Sequence, residues 1–281
     1  MLAVEHHGQP RHGRIVLSHG FGQTRHAWRD TAQALAADGW QATTYDARGH
    51  GESGRPDDGI YDVDDFVADF ERLIEPLEAP PIVVGASLGG LVAMLSQARQ
   101  PQVELRALVL VDITPRWERQ GVNRMLGFMQ AHAGGFPSLE AARQAVRDYL
   151  PHRQNAGGSL QRNLYQDDQG WWHWHWDPRM LEFARLDHEQ HQRRLAHAAA
   201  QISVPTLLVS GGRSDMISSE HIDELLTLIP HAEHARVADA THMVAGDDND
   251  RFQAAIRPFL QRFQQQPTAG GTSFSVSSVE A

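Results

Sequence analysis

The segment Gly85-Ala86-Ser87-Leu88-Gly89-Gly90 has the residue types and spacing to make a serine hydroxyl a nucleophile. It follows the apolar run Ile82-Val83-Val84 and precedes Leu91, Val92 and Leu95 at helical spacing. Ser87 therefore falls on a tight strand-to-helix turn. Such a turn holds its central residue in a strained conformation, so that the hydroxyl projects from the sheet. The glycines leave room where strand and helix cross. The turn also sets the backbone N–H of Leu88 at a helix N-terminus, where the dipole favours a developing oxyanion. A glycine-rich packing turn with an incidental serine is the alternative, and the flanking strand and helix argue against it.

A second oxyanion donor is expected from the loop after the earlier apolar run Ile15-Val16-Leu17-Ser18, which leads into His19-Gly20-Phe21-Gly22. The N–H of Phe21 is the candidate, and His19 is read as a structural hydrogen-bonding group. Seventeen histidines compete for the role of base, so position has to choose. A base for Ser87 must come from a loop at the C-terminal edge of the same sheet. His242, in Asp239-Ala240-Thr241-His242-Met243 after a strand-like run, fits. The acid is expected one loop earlier, at Asp215 of Gly211-Gly212-Arg213-Ser214-Asp215, to accept the imidazole N–H and fix its tautomer. Asp112, which ends Leu108-Val109-Leu110-Val111-Asp112, is the rival. Asp46-Ala47-Arg48-Gly49-His50-Gly51 reads as a charged turn held by internal hydrogen bonds. His173 and His175 alternate with tryptophans and lack a third ligand at useful spacing, so no metal site is expected.

These groups need a sheet to carry them. Short apolar strands at 15–18, 41–45, 82–85, 107–112, 206–210 and 235–238 alternate with helical patterns near 26–38, 61–78, 88–100, 219–229 and 249–264. That rhythm predicts an α/β fold with a mostly parallel central sheet flanked by helices. It breaks between 114 and 201, where helical stripes and the run WWHWHW at 171–176 predict an inserted helical cap. One such stripe is Leu139, Ala142, Val146 and Leu150, with Ser138 placed to cap it. The core is thus expected at 1–113 and 202–263. The segment 264–281, rich in Gln, Gly, Thr and Ser, is expected to be a disordered tail. Trp174, Trp176 and Met243 are candidate pocket residues, with Met125, Phe128, Met129, Trp171 and Trp172 as further apolar area over Ser87.

Composition narrows the function classes. A net charge of −10 argues against sequence-independent binding of nucleic acid, which needs a basic face. With no cysteine, disulfides, thiolate metal sites and a cysteine nucleophile are excluded. No apolar run approaches the ~20 residues that span a bilayer. The N-terminus lacks an apolar run behind a basic start, so no signal peptide and a cytoplasmic location are expected.

With these motifs in order, the chain resembles the α/β-hydrolase superfamily, over roughly 10–113 and 202–263. HGFG (19–22), DARGHGES (46–53), GASLGG (85–90), GGRSD (211–215) and THM (241–243) carry the likeness, which is nearest to lidded bacterial esterases, cofactor-free perhydrolases and carbon–carbon bond hydrolases. A serine at 87 argues against the aspartate-nucleophile epoxide hydrolases and dehalogenases. The resemblance implies a serine hydrolase acting on a small, partly apolar ester-like substrate through an acyl-enzyme, with no cofactor. Carbon–carbon bond hydrolysis or perhydrolysis by the same triad, and a non-catalytic small-molecule receptor on this scaffold, remain open. Oligomeric state is not legible.

Overall fold

The computed structural model describes residues 1–99, 102–150, 160–184, 188–244 and 249–264. Strands β1 (Val4–His7), β2 (Arg14–Ser18), β3 (Gln41–Tyr45), β4 (Ile82–Ala86) and β5 (Ala107–Val111) come before the cap, with helices α1 (Arg29–Ala37), α2 (Val63–Ile74) and α3 (Leu88–Ser96) between them. The cap region holds α4 (Arg119–Ala131), α5 (Leu139–Tyr149), β6 (Leu164–Gln166), β7 (Trp172–Trp174), α6 (Met180–Phe183) and α7 (His188–Ala199). The chain then returns through β8 (Thr206–Gly211), α8 (Ser219–Leu228), β9 (Glu233–Val237) and α9 (Asn249–Gln261).

Seven strands form one sheet in the order β1-β3-β2-β4-β5-β8-β9, parallel except for β1, which runs antiparallel to β3. The central strands read as unbroken apolar runs because both faces are covered. Alternate side chains then sort by face. Ile15, Leu17, Ile82, Val84, Val109 and Val111 pack with α1 and α9 through Trp28, Leu35, Phe252 and Ile256. Val16, Val83, Leu108 and Leu110 pack on the opposite side with Phe66, Phe70, Val92 and Met94 of α2 and α3. Helix starts follow the capping chemistry: Asp62 accepts from the N–H of Asp64 at 2.7 Å, and Ser138 from that of Ala141 at 3.1 Å, as expected for Ser138.

Three elements differ from the sequence expectations. The first strand expected is 15–18, yet Val4–His7 ahead of it form β1, a polar edge strand whose pattern carries no buried face. The cap is not wholly helical: β6 and β7 form a hairpin in which Tyr165 pairs with His173. Helix α7, assigned to the cap, packs on the core instead, since Leu195, Ala198 and Ala199 join the cluster around α3. Most of the tail expected at 264–281 lies outside the described residues, as do 151–159 of the cap. Among the described residues no helix is long and apolar enough to cross a membrane.

Candidate active site

Ser87 sits between β4 and α3 with φ 47° and ψ −115°. Only one other described non-glycine residue has positive φ, Asp112 at φ 49°, directly after the neighbouring strand β5. Strained backbone of this kind costs on the order of 1–3 kcal/mol and persists where the surroundings impose it. Here the imposition is visible. The Ser87 N–H donates to the carbonyl of Val111 at 3.2 Å, and that of Asp112 to Val209 at 2.7 Å, so each turn is tied to the next strand. The glycines are steric necessities. A Cβ at Gly89 would lie 2.5 Å from the carbonyl oxygen of Ser18, and one at Gly85 would lie 2.7 Å from the backbone of Gly89 and Gly90.

The candidate base His242 and the carboxylate it meets come from the loops after β9 and β5. His242 Nδ1 lies 2.8 Å from Asp112 Oδ2. Asp112 is fully buried, and a buried carboxylate needs donors to replace water. It has them in the N–H of Gly211 at 2.8 Å, the hydroxyl of Ser214 and the imidazole. Gly211 and Gly212 let the histidine loop cross this close: a Cβ at Gly211 would meet the Thr241 carbonyl at 2.3 Å, and one at Gly212 the Ala238 carbonyl at 2.1 Å.

This arrangement corrects the expectation for Asp215. That residue is on the anticipated loop and lines the cavity, but its carboxylate is turned to Arg124 of α4. The one-residue offset explains the difference. Ser214 points inward and donates to Asp112, whereas Asp215 points toward the cap. Arg124 also meets the phenol of Tyr149, whose pKa is raised by burial with the guanidinium pulling the other way.

Phe21 sits in a reverse turn closed by the Gln23 N–H on the Gly20 carbonyl at 3.1 Å, with Gly22 at φ 76° in the position where a type II turn requires positive φ. A Cβ at Gly20 would stand 3.3 Å from the Ser87 Cβ, so the turn abuts the nucleophile. Gln23 ties it down, its Oε1 accepting from Gly20 N–H at 3.1 Å and its Nε2 donating to the Met243 sulfur at 3.3 Å. Leu88 opens α3, so its N–H has no carbonyl four residues earlier in a helix to bind. Its side chain is buried in the core away from the cavity.

Two buried imidazoles support this turn from behind. His50 accepts the Gly22 N–H on Nε2 at 3.0 Å, so its Nδ1 carries the proton and donates to the Arg48 carbonyl at 3.0 Å. His19 accepts the Ala47 N–H at 2.9 Å and donates to the Gly20 carbonyl at 2.8 Å. Burial pushes both pKa values down, that of His50 to about 3 with His19 adding to the shift. Both rings are thus neutral, which suits the structural role read for His19. Asp46 anchors its charged turn through the N–H groups of Arg25 at 2.6 Å and Glu52 at 3.0 Å.

Ser87 and His242 line one cavity of about 240 Å³ beneath the cap. Trp174, Trp176 and Met243 line it, with Met125, Phe128 and Met129, and the lining is mainly apolar. Trp171 lies outside, 44% exposed at the hairpin, and Trp172 is not part of the wall. Sequence reading missed Ser214, Gln23 and His50 as supports and Arg162 and His26 as wall residues. Ser214 and His50 sat within recognised motifs, but their partners are set by strand register. His173 meets Asp167 at 2.8 Å, and the described residues hold no group of three potential metal ligands.

A sequence profile described as the alpha/beta hydrolase fold matches residues 13–248. The chain is 28% identical over 264 residues to the sn-1-specific diacylglycerol lipase ABHD11 of Mus musculus, covering 88% of this chain and 80% of that protein. It is also 28% identical to the pimeloyl-[acyl-carrier protein] methyl ester esterase of Neisseria meningitidis serogroup B, over 88% of this chain and 93% of the relative. Among solved structures, E-2-(acetamidomethylene)succinate hydrolase superposes with a TM-score of 0.80 at 21% identity, covering 92% of this chain and 95% of that one, a likeness of fold.

Proposed function

We propose, from the premise that the chain belongs to the α/β-hydrolase family, that it is a serine hydrolase cleaving an ester bond of a small, partly apolar substrate. The observation that carries this reading is the contact of His242 with the buried Asp112, while His242 and Ser87 line the same mainly apolar cavity. Curated relatives that are a lipase and a methyl ester esterase support the choice of bond.

Asp112 holds Nδ1 of His242 as the donor, leaving Nε2 to take the Ser87 proton as the hydroxyl attacks the ester carbonyl. The N–H groups of Phe21 and Leu88 receive the oxyanion of the tetrahedral intermediate, each contributing on the order of 100- to 1000-fold in rate. Collapse expels the alcohol, which takes its proton from His242, and leaves an acyl-serine. Water, deprotonated by the same imidazole, then attacks the acyl carbon and releases the carboxylic acid. The buried Asp112 charge stabilises the imidazolium in both halves.

The test is labelling by a fluorophosphonate probe together with hydrolysis of p-nitrophenyl butyrate. The wild-type protein should be labelled on Ser87, and Ser87→Ala should lose the label and at least a thousandfold of kcat, with an unchanged circular dichroism spectrum. Hydrolysis persisting in Ser87→Ala would overturn the assignment.

A further inference from the structure

The catalytic cavity shares part of its wall with a second hollow. His26 and Arg162 line both the 240 Å³ cavity holding Ser87 and an adjoining cleft of about 230 Å³. The walls differ in chemistry. The cavity is built mainly from cap and core apolar groups, whereas the cleft carries the guanidiniums of Arg25, Arg29 and Arg162.

Arg25 is already neutralised. It pairs with Asp46 and Glu52, both in the cleft wall. No ion pair or side-chain hydrogen bond joins the exposed side chains of Arg29 and Arg162 to another described residue. Glu5, which also pairs with Arg25 at 3.8 Å, balances the three guanidiniums of the wall, so the capacity to hold an anion rests on Arg29 and Arg162 and not on an excess of charge. Asp30 and Asp215, the carboxylates of the catalytic cavity, are not part of the cleft wall. His26 and His175 complete it with ring nitrogens, held toward the neutral form chiefly by burial. A guanidinium fork matches a carboxylate or a phosphate, bonding two oxygens at once.

We propose that this cleft is an anion subsite adjoining the catalytic cavity, so that the preferred ester bears a carboxylate or phosphate at the end remote from the scissile carbonyl. The substrate class rests on the esterase reading; the binding of an anion by Arg29 and Arg162 does not.

Two matched ester pairs and one binding measurement test it. Mono-p-nitrophenyl adipate is compared with p-nitrophenyl pentanoate, and 1-butyrylglycerol 3-phosphate with monobutyrin, which separates a carboxylate source from a phosphate source. In at least one pair the charged ester should have about tenfold higher kcat/KM. The R29A/R162A double variant should erase that ratio through KM. Adipate and glycerol 3-phosphate are also titrated calorimetrically into both proteins, and at least one Kd should rise about tenfold in the variant. Equal kcat/KM within both pairs, or a preference or an affinity that survives the double substitution, overturns the subsite. Arginine-dependent anion binding without hydrolysis of any ester would leave the subsite standing and remove the esterase reading instead.

Discussion

His242 Nδ1 stands 2.8 Å from the carboxylate of Asp112, while Asp215, in the loop after β8, is engaged by Arg124 of α4. The carboxylate behind the proposed base therefore comes from the end of β5, the strand beside β4, which carries Ser87. Ser214 occupies the inward position on the β8 loop and serves Asp112 rather than competing with it.

Ser214→Ala removes one of three donors to a buried charge. Hydrogen bonds to charged groups contribute about 1.5–3 kcal/mol, so kcat for p-nitrophenyl butyrate should fall about tenfold or more. A steady-state comparison with wild type checks this. A kcat within twofold would mean that the hydroxyl does not stabilise Asp112.

His50→Leu should reduce kcat and lower stability by about 1–3 kcal/mol, because the Gly22 N–H loses its acceptor. Phe21, packed edge-on against the His50 ring at 5.8 Å, loses its wall at the same time. Esterase kinetics and urea unfolding measure the two effects. His50→Gln, which retains an acceptor, should recover part of kcat.

Acid should destabilise the protein through the same ring. The folded pKa of His50, about 3, lies below the ordinary 6.5, so its contribution is present above pH 6.5 and is lost as the pH falls toward 3. Between pH 7 and pH 5 that amounts to about 2 kcal/mol from His50, with His19 acting in the same direction. Urea unfolding at both pH values should show the loss in wild type and a smaller one in His50→Gln.

Gly89→Ala should cost about 3 kcal/mol or prevent folding, since the new methyl would sit 2.5 Å from the Ser18 carbonyl, a backbone atom that cannot step aside. Gly127→Ala, with open space around its Cβ, is the control and should fold normally.

The legible parts of this chain were those set by local pattern. Ile82–Val84 running into Gly85–Gly90 announced both a buried strand and the strained serine, because apolar continuity and glycine spacing are properties of a few adjacent residues. The five motifs likewise placed Ser87, His242 and Phe21 at one sheet edge. The partner of His242 was not legible, because it depends on how two loops from β5 and β8 interleave. Position along the chain favoured Asp215, yet a one-residue offset sends Ser214 inward and Asp215 to Arg124. The β6–β7 hairpin escaped for a related reason. The alternating tryptophans and histidines supply β7, three half-buried residues, and its partner β6 is an equally short Leu-Tyr-Gln run with no strand pattern of its own.

The most direct test of this site pairs two substitutions at equal charge change. Asp112→Asn and Asp215→Asn are compared with wild type for kcat on p-nitrophenyl butyrate at pH 8. Asp112→Asn should lower kcat by roughly three to four orders of magnitude, because the imidazole loses its tautomer control, while Asp215→Asn should stay within tenfold of wild type. The reverse order, with Asp215→Asn the crippled variant, would contradict the account and return the catalytic acid to the β8 loop.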